Sequence, residues 1–402
     1  MLLDLTIRSY VVSSKEVKKC DVVIAGASVA GLSAARVVAE KGYNVIVIEE
    51  DMEIGTPEKC GGLVSAQSLP DLAIAPTGRI VSLQVEKAKL TTSSGKEIEV
   101  DVKNVGVYAL RRRELDRALA VEASKAGAIF ELGSRVQSFK EDNDTITLST
   151  SSFDVEAKYF IDARGISVYK SFMPDGVLTA AQYECYVPDL QRRTVEVHID
   201  KKISKDYFLW LIPLTDDQAR IGIAGRGVLA PILEDYIAKR GARVLKKIYH
   251  SLAVGGSVSE FMIGRRVLAG ESAGQTKPTT AGGIYTAGMG GRLAGKYIAE
   301  ALQKNDSSLI KGYQKEWLSL FGDDFNLQLR LRKVYELLDD NDIDALFDIL
   351  QSSDALQALA DGSFDFHGKD FLKLVGIKGF VKSLAIVGRK NLIALLQLAA
   401  TR

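Results

Sequence analysis

Four groups of residues have the types and spacings that chemistry needs. The first is Gly26-Ala27-Ser28-Val29-Ala30-Gly31, followed by Glu49. Glycines at both ends of such a stretch allow a sharp turn and a close helix–strand approach. A helix starting there turns unpaired N–H groups outward, and an acid roughly 20 residues on can accept hydrogen bonds from sugar hydroxyls. That combination suits a dinucleotide. Ser28 stands where the fingerprint usually has glycine, and its hydroxyl offers a phosphate contact instead. The second group is Gly270-Glu271-Ser272-Ala273-Gly274, then Pro278, Gly282-Gly283-Ile284 and the small residues Ala287, Gly290, Gly291 and Gly295. Its exposed backbone suits a cofactor whose ribityl chain and pyrimidine ring lie against main chain. The third, Lys59-Cys60-Gly61-Gly62, places a thiol between a cation and two glycines, a setting for a site cysteine. The fourth, Tyr207-Phe208-Leu209-Trp210-Leu211-Ile212-Pro213, is an aromatic and apolar run fit to wall a pocket.

The elements that position these residues can be read from periodicity. Cys20 to Ala25 is a β-branched run expected as a strand buried on both faces. Val29 to Lys41 has helical spacing and stops at Gly42, and Val45 to Ile48 is a second buried strand ending at Glu49. Strand, turn, helix and strand form a right-handed βαβ unit. Ile80 to Leu110 alternates, breaks at Ser94-Gly95 and predicts an antiparallel meander. A helix over about Arg113–Ala126 follows, headed by Arg112-Arg113-Glu114-Leu115-Asp116-Arg117, and then alternating strands run to Ile161. Val177 to Ala224 is again β-rich, a helix follows Pro231, and Arg266 to Ala269 is a short buried strand. From Tyr297 onward the pattern is almost wholly helical. The fold class expected is α/β: a split Rossmann-like domain (20–79, 111–170 and 264–300), an inserted antiparallel sheet domain (80–110 and 171–263) and a helical region (301–402).

Composition excludes several function classes. A chain of 402 residues with a net charge of +1 carries no global signal for nucleic acid. Cys20, Cys60 and Cys185 have no paired spacing, so neither a disulfide scaffold nor a zinc site is expected. His198, His250 and His367 are too scattered for a metal centre. Met1 to Cys20 is too charged for a secretory signal and reads as an appendage before the first strand. No stretch reaches the ~20 apolar residues of a membrane span, and the expected location is the cytoplasm. Lys369 to Leu398 mixes apolar residues with Lys373, Lys378, Lys382, Arg389 and Lys390, making it a candidate for peripheral contact with the inner face of an anionic membrane.

Taken together, the motifs resemble FAD proteins of the aromatic-hydroxylase superfamily, which carry an acid after the glycine of the second motif and an Arg-x-x-(Leu/Phe)-Asp helix start. Glu271 and Arg112 match those places, and Asp162-Ala163-Arg164-Gly165 is a weaker echo of a further signature. Within that superfamily the Cys60-Gly61 pair and the Phe208–Pro213 run look like geranylgeranyl reductases, with Phe208 and Ile212 in place of the family's Tyr and Phe. The resemblance spans about Cys20 to Gly295. It implies FAD held by Gly26, Ser28, Ala30, Gly31, Glu49, Glu50, Lys59, Cys60, Gly61, Arg112, Gly270, Glu271, Gly282, Gly283 and Ile284. It implies a prenyl lipid held by Phe208, Trp210, Ile212 and Pro213, with Leu209 and Leu211 also in the wall. The implied reaction saturates isolated double bonds with a hydride from reduced flavin plus a proton, passing through tertiary carbocation character. Cys60 and Tyr207 are the proton-donor candidates by type. One dinucleotide fingerprint is present, so NADPH without its own domain and a ferredoxin-type donor both stay open as reductants. The alternatives are a flavin-dependent monooxygenase or halogenase, for which Trp210, Ile212 and Pro213 also match a motif, and a non-enzymatic flavin- or lipid-binding carrier.

Overall fold

Val22, Val23 and Ile24 are wholly buried, because the strand that carries them lies mid-sheet. The computed structural model describes residues 15–351 and 364–365. Its first strand, β1 (Glu16–Ala25), pairs in parallel with β2 (Val45–Ile48) on one side and β11 (Phe153–Asp162) on the other. β8 (Ile129–Glu131) extends the sheet beyond β2, and β18 (Arg266–Leu268) extends it beyond β11. β17 (Met262–Ile263) closes that edge, while β9 (Ser138–Glu141) and β10 (Ile146–Ser149) form an antiparallel flap on β11. β1 starts four residues before the expected Cys20. Its extension Glu16–Lys19 pairs with Phe153–Glu156 of β11 alone, so a one-sided partner overrides the polar local sequence.

Two helices set the cofactor-side geometry. α1 (Val29–Glu40) follows the first glycine turn, and α6 (Ile284–Lys304) follows the second. They pack backbone to backbone: a Cβ at Gly291 would overlap the Ala30 carbonyl, and one at Gly295 would lie 2.8 Å from the Ala34 carbonyl. The small residues of α6 thus bring the starts of both helices to one side of the sheet. α3 (Arg112–Lys125) packs beside α1 and buries Arg112, Leu115, Asp116 and Leu119. α2 (Ser68–Asp71) and α4 (Ile166–Phe172) are short connectors.

The second sheet has seven strands in the order β16 (Arg243–Ala253), β12 (Val177–Tyr186), β15 (Gln218–Gly225), β14 (Leu209–Pro213), β13 (Thr194–Ile199), β5 (Lys87–Thr92) and β6 (Glu97–Asp101). Every pairing is antiparallel except β13 with β5. A third sheet, β3 (Leu63–Ser65), β7 (Val107–Leu110) and β4 (Val81–Val85), lies against one face. Here the expectation of one meander over Ile80–Leu110 is corrected. The chain changes sheets at Glu86, so β4 and β7 join β3 while β5 and β6 form a hairpin in the larger sheet. Two-residue alternation is the same in both sheets, and it does not encode which partner a strand finds.

α5 (Ala230–Lys239) covers the other face of the seven-stranded sheet, packing on Tyr183, Leu211, Ile221 and Ile223. α7 (Lys311–Leu337) buries Trp317, Phe321 and Phe325. α8 (Asp340–Leu350) starts with an Asp339/Asp342 capping box and packs on Ile98 and Val100. Among the described residues no helix is long and apolar enough to cross a membrane, and no cluster of metal-ligating side chains forms. The basic stretch Lys369–Leu398 lies outside the described residues.

Candidate cofactor and substrate site

The first glycine turn can be built only as the sequence has it. Gly26 has φ +105°, and a Cβ there would overlap the Ala163 carbonyl oxygen, while one at Gly31 would overlap the Gly26 carbonyl. Glu49 sits beneath the turn, accepting hydrogen bonds from the Ala27 N–H at 2.6 Å and the Asp51 N–H at 3.1 Å. Glu50 is exposed and lies 3.5 Å from Arg135, so Glu49 is the acid that meets the turn. Ser28 is the N-cap residue of α1, yet its exposed hydroxyl does not cap the helix. Instead it accepts from Arg112 Nη2 at 3.4 Å.

Arg112 is buried, with Nη2 bonded to both Asp116 oxygens at 3.1 and 3.2 Å. Its Nε has no hydrogen-bond partner among the described residues. Burial alone would discourage the charge, but Asp116 and Cys60 alongside more than offset this and hold its pKa above the ordinary arginine range. A buried cation with an unused donor, touching Ser28 at an uncapped helix start, fits a pyrophosphate. The acid under the turn fits the adjoining ribose. The residues present therefore fit FAD.

The second turn abuts the first. Gly270 has φ +68°, and a Cβ there would meet the Ala30 side chain at 2.6 Å. Glu271 accepts from the backbone of Ala253 and Ile166 and faces Gly165. Burial is the main influence on it and pushes its pKa up to about 7, against those backbone donors and the Lys59 charge. Gly282, Gly283 and Ile284 open α6 and line a small recess with Leu63, Val64 and Lys277.

Between the two sheets lies the Lys59–Gly62 loop. Lys59 is exposed, and Cys60 Sγ accepts from the Gly62 N–H at 3.3 Å. A Cβ at Gly61 would meet Ile212 Cδ1 at 2.8 Å, so this loop rests on the seven-stranded sheet. Trp210 lies flat over Gly222, where a Cβ would overlap the indole, and Trp210 Nε1 donates to Gln182 Oε1 at 3.1 Å. Tyr207 stacks on Phe208 with centroids 4.2 Å apart and meets Trp210 edge-on at 6.4 Å. The Tyr207 hydroxyl is buried with no partner among the described residues, and burial raises its pKa. The structure thus gathers Tyr207, Phe208, Trp210 and Ile212 on one face. Leu209 and Leu211 are packed on the opposite face with α5, and strand alternation puts Pro213 with them. Those three do not share the Trp210 wall.

The same fold resemblance extends to known proteins. Residues 5–69 match the Thi4 family model. A digeranylgeranylglycerophospholipid reductase of Methanopyrus kandleri is 29% identical over 366 residues, covering 84% of this chain and 92% of the relative. A geranylgeranyl bacteriochlorophyll reductase-like protein from Thermoplasma acidophilum superposes with a TM-score of 0.81 at 22% identity, covering 92% of this chain and all of that one. Over most of its length the chain is thus similar to reductases of geranylgeranyl lipids, and it shares the fold of a geranylgeranyl reductase-like protein. A flavin-dependent brominase shares the fold less closely, with a TM-score of 0.68 at 16% identity over 93% of this chain.

Several residues at the site escape motif reading. Arg220 is buried on β15 and ion-pairs with Glu58, while its Nη1 donates to the Gly61 and Leu110 carbonyls at 3.2 and 3.1 Å. Glu58 also accepts from the Arg113 N–H at 3.0 Å. Gln182 is fully buried, and its Nε2 has no partner among the described residues. The available signal was a lone charge inside the apolar run Ala219–Ala224 and a lone amide inside Val177–Tyr186: a buried polar side chain in a strand demands a partner across the interface.

Proposed function

We propose that this flavoprotein saturates isolated double bonds of geranylgeranyl chains on a glycerophospholipid. One observation carries the reading: the Cys60–Gly61 loop of the cofactor side rests directly on Ile212 of the aromatic face, so any flavin held there is walled by apolar rings. On this reading Gly26, Ser28, Ala30, Gly31, Glu49 and Arg112 hold the dinucleotide portion of FAD. Gly61, Gly270, Gly282, Gly283 and Ile284 offer backbone to its ring system, with Lys59, Glu50 and Glu271 farther out. Segments 20–79, 111–170 and 264–300 are assigned to the cofactor and 80–110 with 171–263 to the lipid.

An unactivated alkene has no carbonyl to receive charge, so its reduction needs one hydride and one proton, with positive character at the more substituted carbon. Bound FAD in its reduced form supplies the hydride. The chain must do the rest. Phe208, Trp210 and Ile212 exclude water from that carbon, and Gln182 fixes the indole plane through Trp210 Nε1. The Tyr207 hydroxyl, buried and kept neutral, holds a proton beside the wall. Cys60, partly exposed next to Arg112, is the second donor of suitable type.

The test is anaerobic incubation of dithionite-reduced, FAD-loaded protein with digeranylgeranylglycerophospholipid, read by mass spectrometry as the addition of H₂ per bond. A fully reduced, FAD-loaded protein that leaves every double bond intact would refute the reading. Oxygen uptake with an aromatic substrate would favour the oxygenase or halogenase alternative. Bleaching of the flavin by NADPH or by a reduced ferredoxin identifies the donor, and flotation with anionic vesicles tests peripheral contact with the membrane that stores the lipid.

A further inference from the structure

Lys277 is the least expected charge near the cofactor turn. It is 3% exposed, and its backbone closes a tight loop: its N–H donates to the Gly282 carbonyl at 2.9 Å, and its carbonyl accepts from Ala281 at 2.8 Å. The side-chain stem runs along Gly282, where a Cβ would meet Lys277 Cε at 2.9 Å. Nζ donates to the Phe364 carbonyl at 2.9 Å and lies 3.6 Å from Asp365 Oδ1. Asp365 in turn accepts from the Ser68 hydroxyl.

An ammonium carries three donors. The Phe364 carbonyl takes one, and Asp365 stands beyond hydrogen-bond distance. Asp365 still pairs with it as an ion, Asp324 also acts on it through charge, and the Phe364 ring centroid lies 4.3 Å from Nζ, so the buried cation is held by compensating partners. Lys277 and Asp365 both line the recess at Gly282 and Gly283. That recess also receives the positive end of α6, a helix of 21 residues with no acidic residue in its first turn. The Lys277 charge, tempered by Asp365 and Asp324, and the positive end of α6 meet at the backbone that suits a pyrimidine ring.

We propose that Lys277 sets the electron affinity of the flavin, its ammonium facing the negative charge that the pyrimidine gains on reduction, with Asp365 tempering it. The inference rests on the FAD reading above. Two electrons and one proton convert oxidised flavin into its anionic reduced form, so the ring gains one negative charge. A cation at that edge favours the reduced form over the oxidised, and a carboxylate behind the cation weakens the preference. Lys277 then acts through charge on the ring, while the aromatic face handles the lipid.

The test is spectroelectrochemical titration of the FAD-loaded full chain with dithionite and a reference dye, combined with FAD dissociation constants in both oxidation states. Lys277→Met should weaken binding of reduced FAD at least tenfold more than oxidised FAD, a fall of about 30 mV in a two-electron midpoint potential. Asp365→Asn should move the potential upward, and Lys277→Arg should keep it near the parent value. A merely structural ion pair would destabilise the fold in both variants without opposite shifts in potential. An unchanged potential in Lys277→Met, or shifts of the same sign in both variants, would overturn the proposal. Should Lys277→Met not retain FAD, the upward or absent shift in Asp365→Asn decides. Parent protein that binds no FAD would instead defeat the reading underneath; alkene reduction by a Lys277→Met variant of unchanged potential would defeat this inference alone.

Discussion

Replacing Arg220 by methionine keeps most of the side chain's volume and removes its charge from the joint between the two halves of the site. Arg220 is 2% exposed and Glu58 14%, so Glu58 would be left as a largely buried, unpaired carboxylate. Breaking a buried pair from one side costs about 3–5 kcal/mol. The Gly61 and Leu110 carbonyls lose their shared donor as well, worth roughly 1–3 kcal/mol for a buried acceptor left unmatched. The expected loss is therefore about 4 kcal/mol or more, concentrated in the Glu58–Gly62 loop and the β14–β15 face beneath it. Adding Glu58→Gln removes the stranded charge, so the double variant should recover about 1–3 kcal/mol relative to the sum of the singles. Denaturant unfolding of the four proteins in the cycle, with hydrogen exchange at Gly61 and Gly62 to localise the loss, measures both numbers. A single Arg220→Met variant losing under about 1 kcal/mol, or singles that simply add, would show that the pair does not join the loop to the sheet.

The remaining predictions concern the cofactor turn, the wall and the buried acid. Gly26→Ala places a side chain at φ +105° against the Ala163 carbonyl; purified protein should be folded by circular dichroism yet colourless, with FAD affinity down at least about 100-fold, equivalent to ~2.7 kcal/mol. Gly61→Val pushes against Ile212 and should leave the flavin spectrum present while alkene turnover falls at least about tenfold. Tyr207→Phe removes one hydroxyl from the packed face; turnover should fall at least tenfold with FAD binding unchanged, and full activity would transfer the donor role to Cys60. For Glu271, the folded-state pKa of about 7 lies above the ordinary 4.5, so the fold binds this proton more tightly than the unfolded chain does. Its contribution is full below pH 4.5 and is lost as pH rises through about 7. Glu271→Gln should flatten the stability of the FAD-free protein across that window, as read by thermal unfolding at a series of pH values.

The legibility of the sequence varied with the range of the interaction. The βαβ unit was readable because Val22 to Ala25, Gly26, Gly31 and Glu49 encode local geometry: a strand, a backbone that tolerates no Cβ, and an acid at the next strand's end. Trp210 and Ile212 were readable as wall residues, but the run around them was taken as one surface, whereas a strand divides it. Leu209, Leu211 and Pro213 follow the alternation to the α5 side. The sheet switch at Glu86 left no local trace, since β4 and β5 alternate alike and differ only in distant partners. Arg220, Gln182 and Lys277 were missed for the same reason. Each is meaningful only with a partner 28 to 162 residues away, such as Trp210, Phe364 or Glu58.

Those missed residues also explain how one site can combine a strongly polar cofactor with a reaction that tolerates little water. The charged groups around the cofactor turn and the joint are tied down: Arg112 by Asp116, Glu49 by the Ala27 N–H, and Arg220 by Glu58 and two carbonyls. Each of these groups is held by protein partners on most of its polar atoms, so the loop they fix can lie on Ile212 without carrying a hydration shell into the aromatic face. Trp210 completes the separation, since its single polar atom is turned to Gln182 and its rings lie flat on Gly222. A buried polar network bonded mainly to itself presents little hydration to its neighbours. The charge that recognises a dinucleotide and the dryness that protects an alkene therefore do not compete, because the hydrogen bonds that anchor the first are the ones that permit the second.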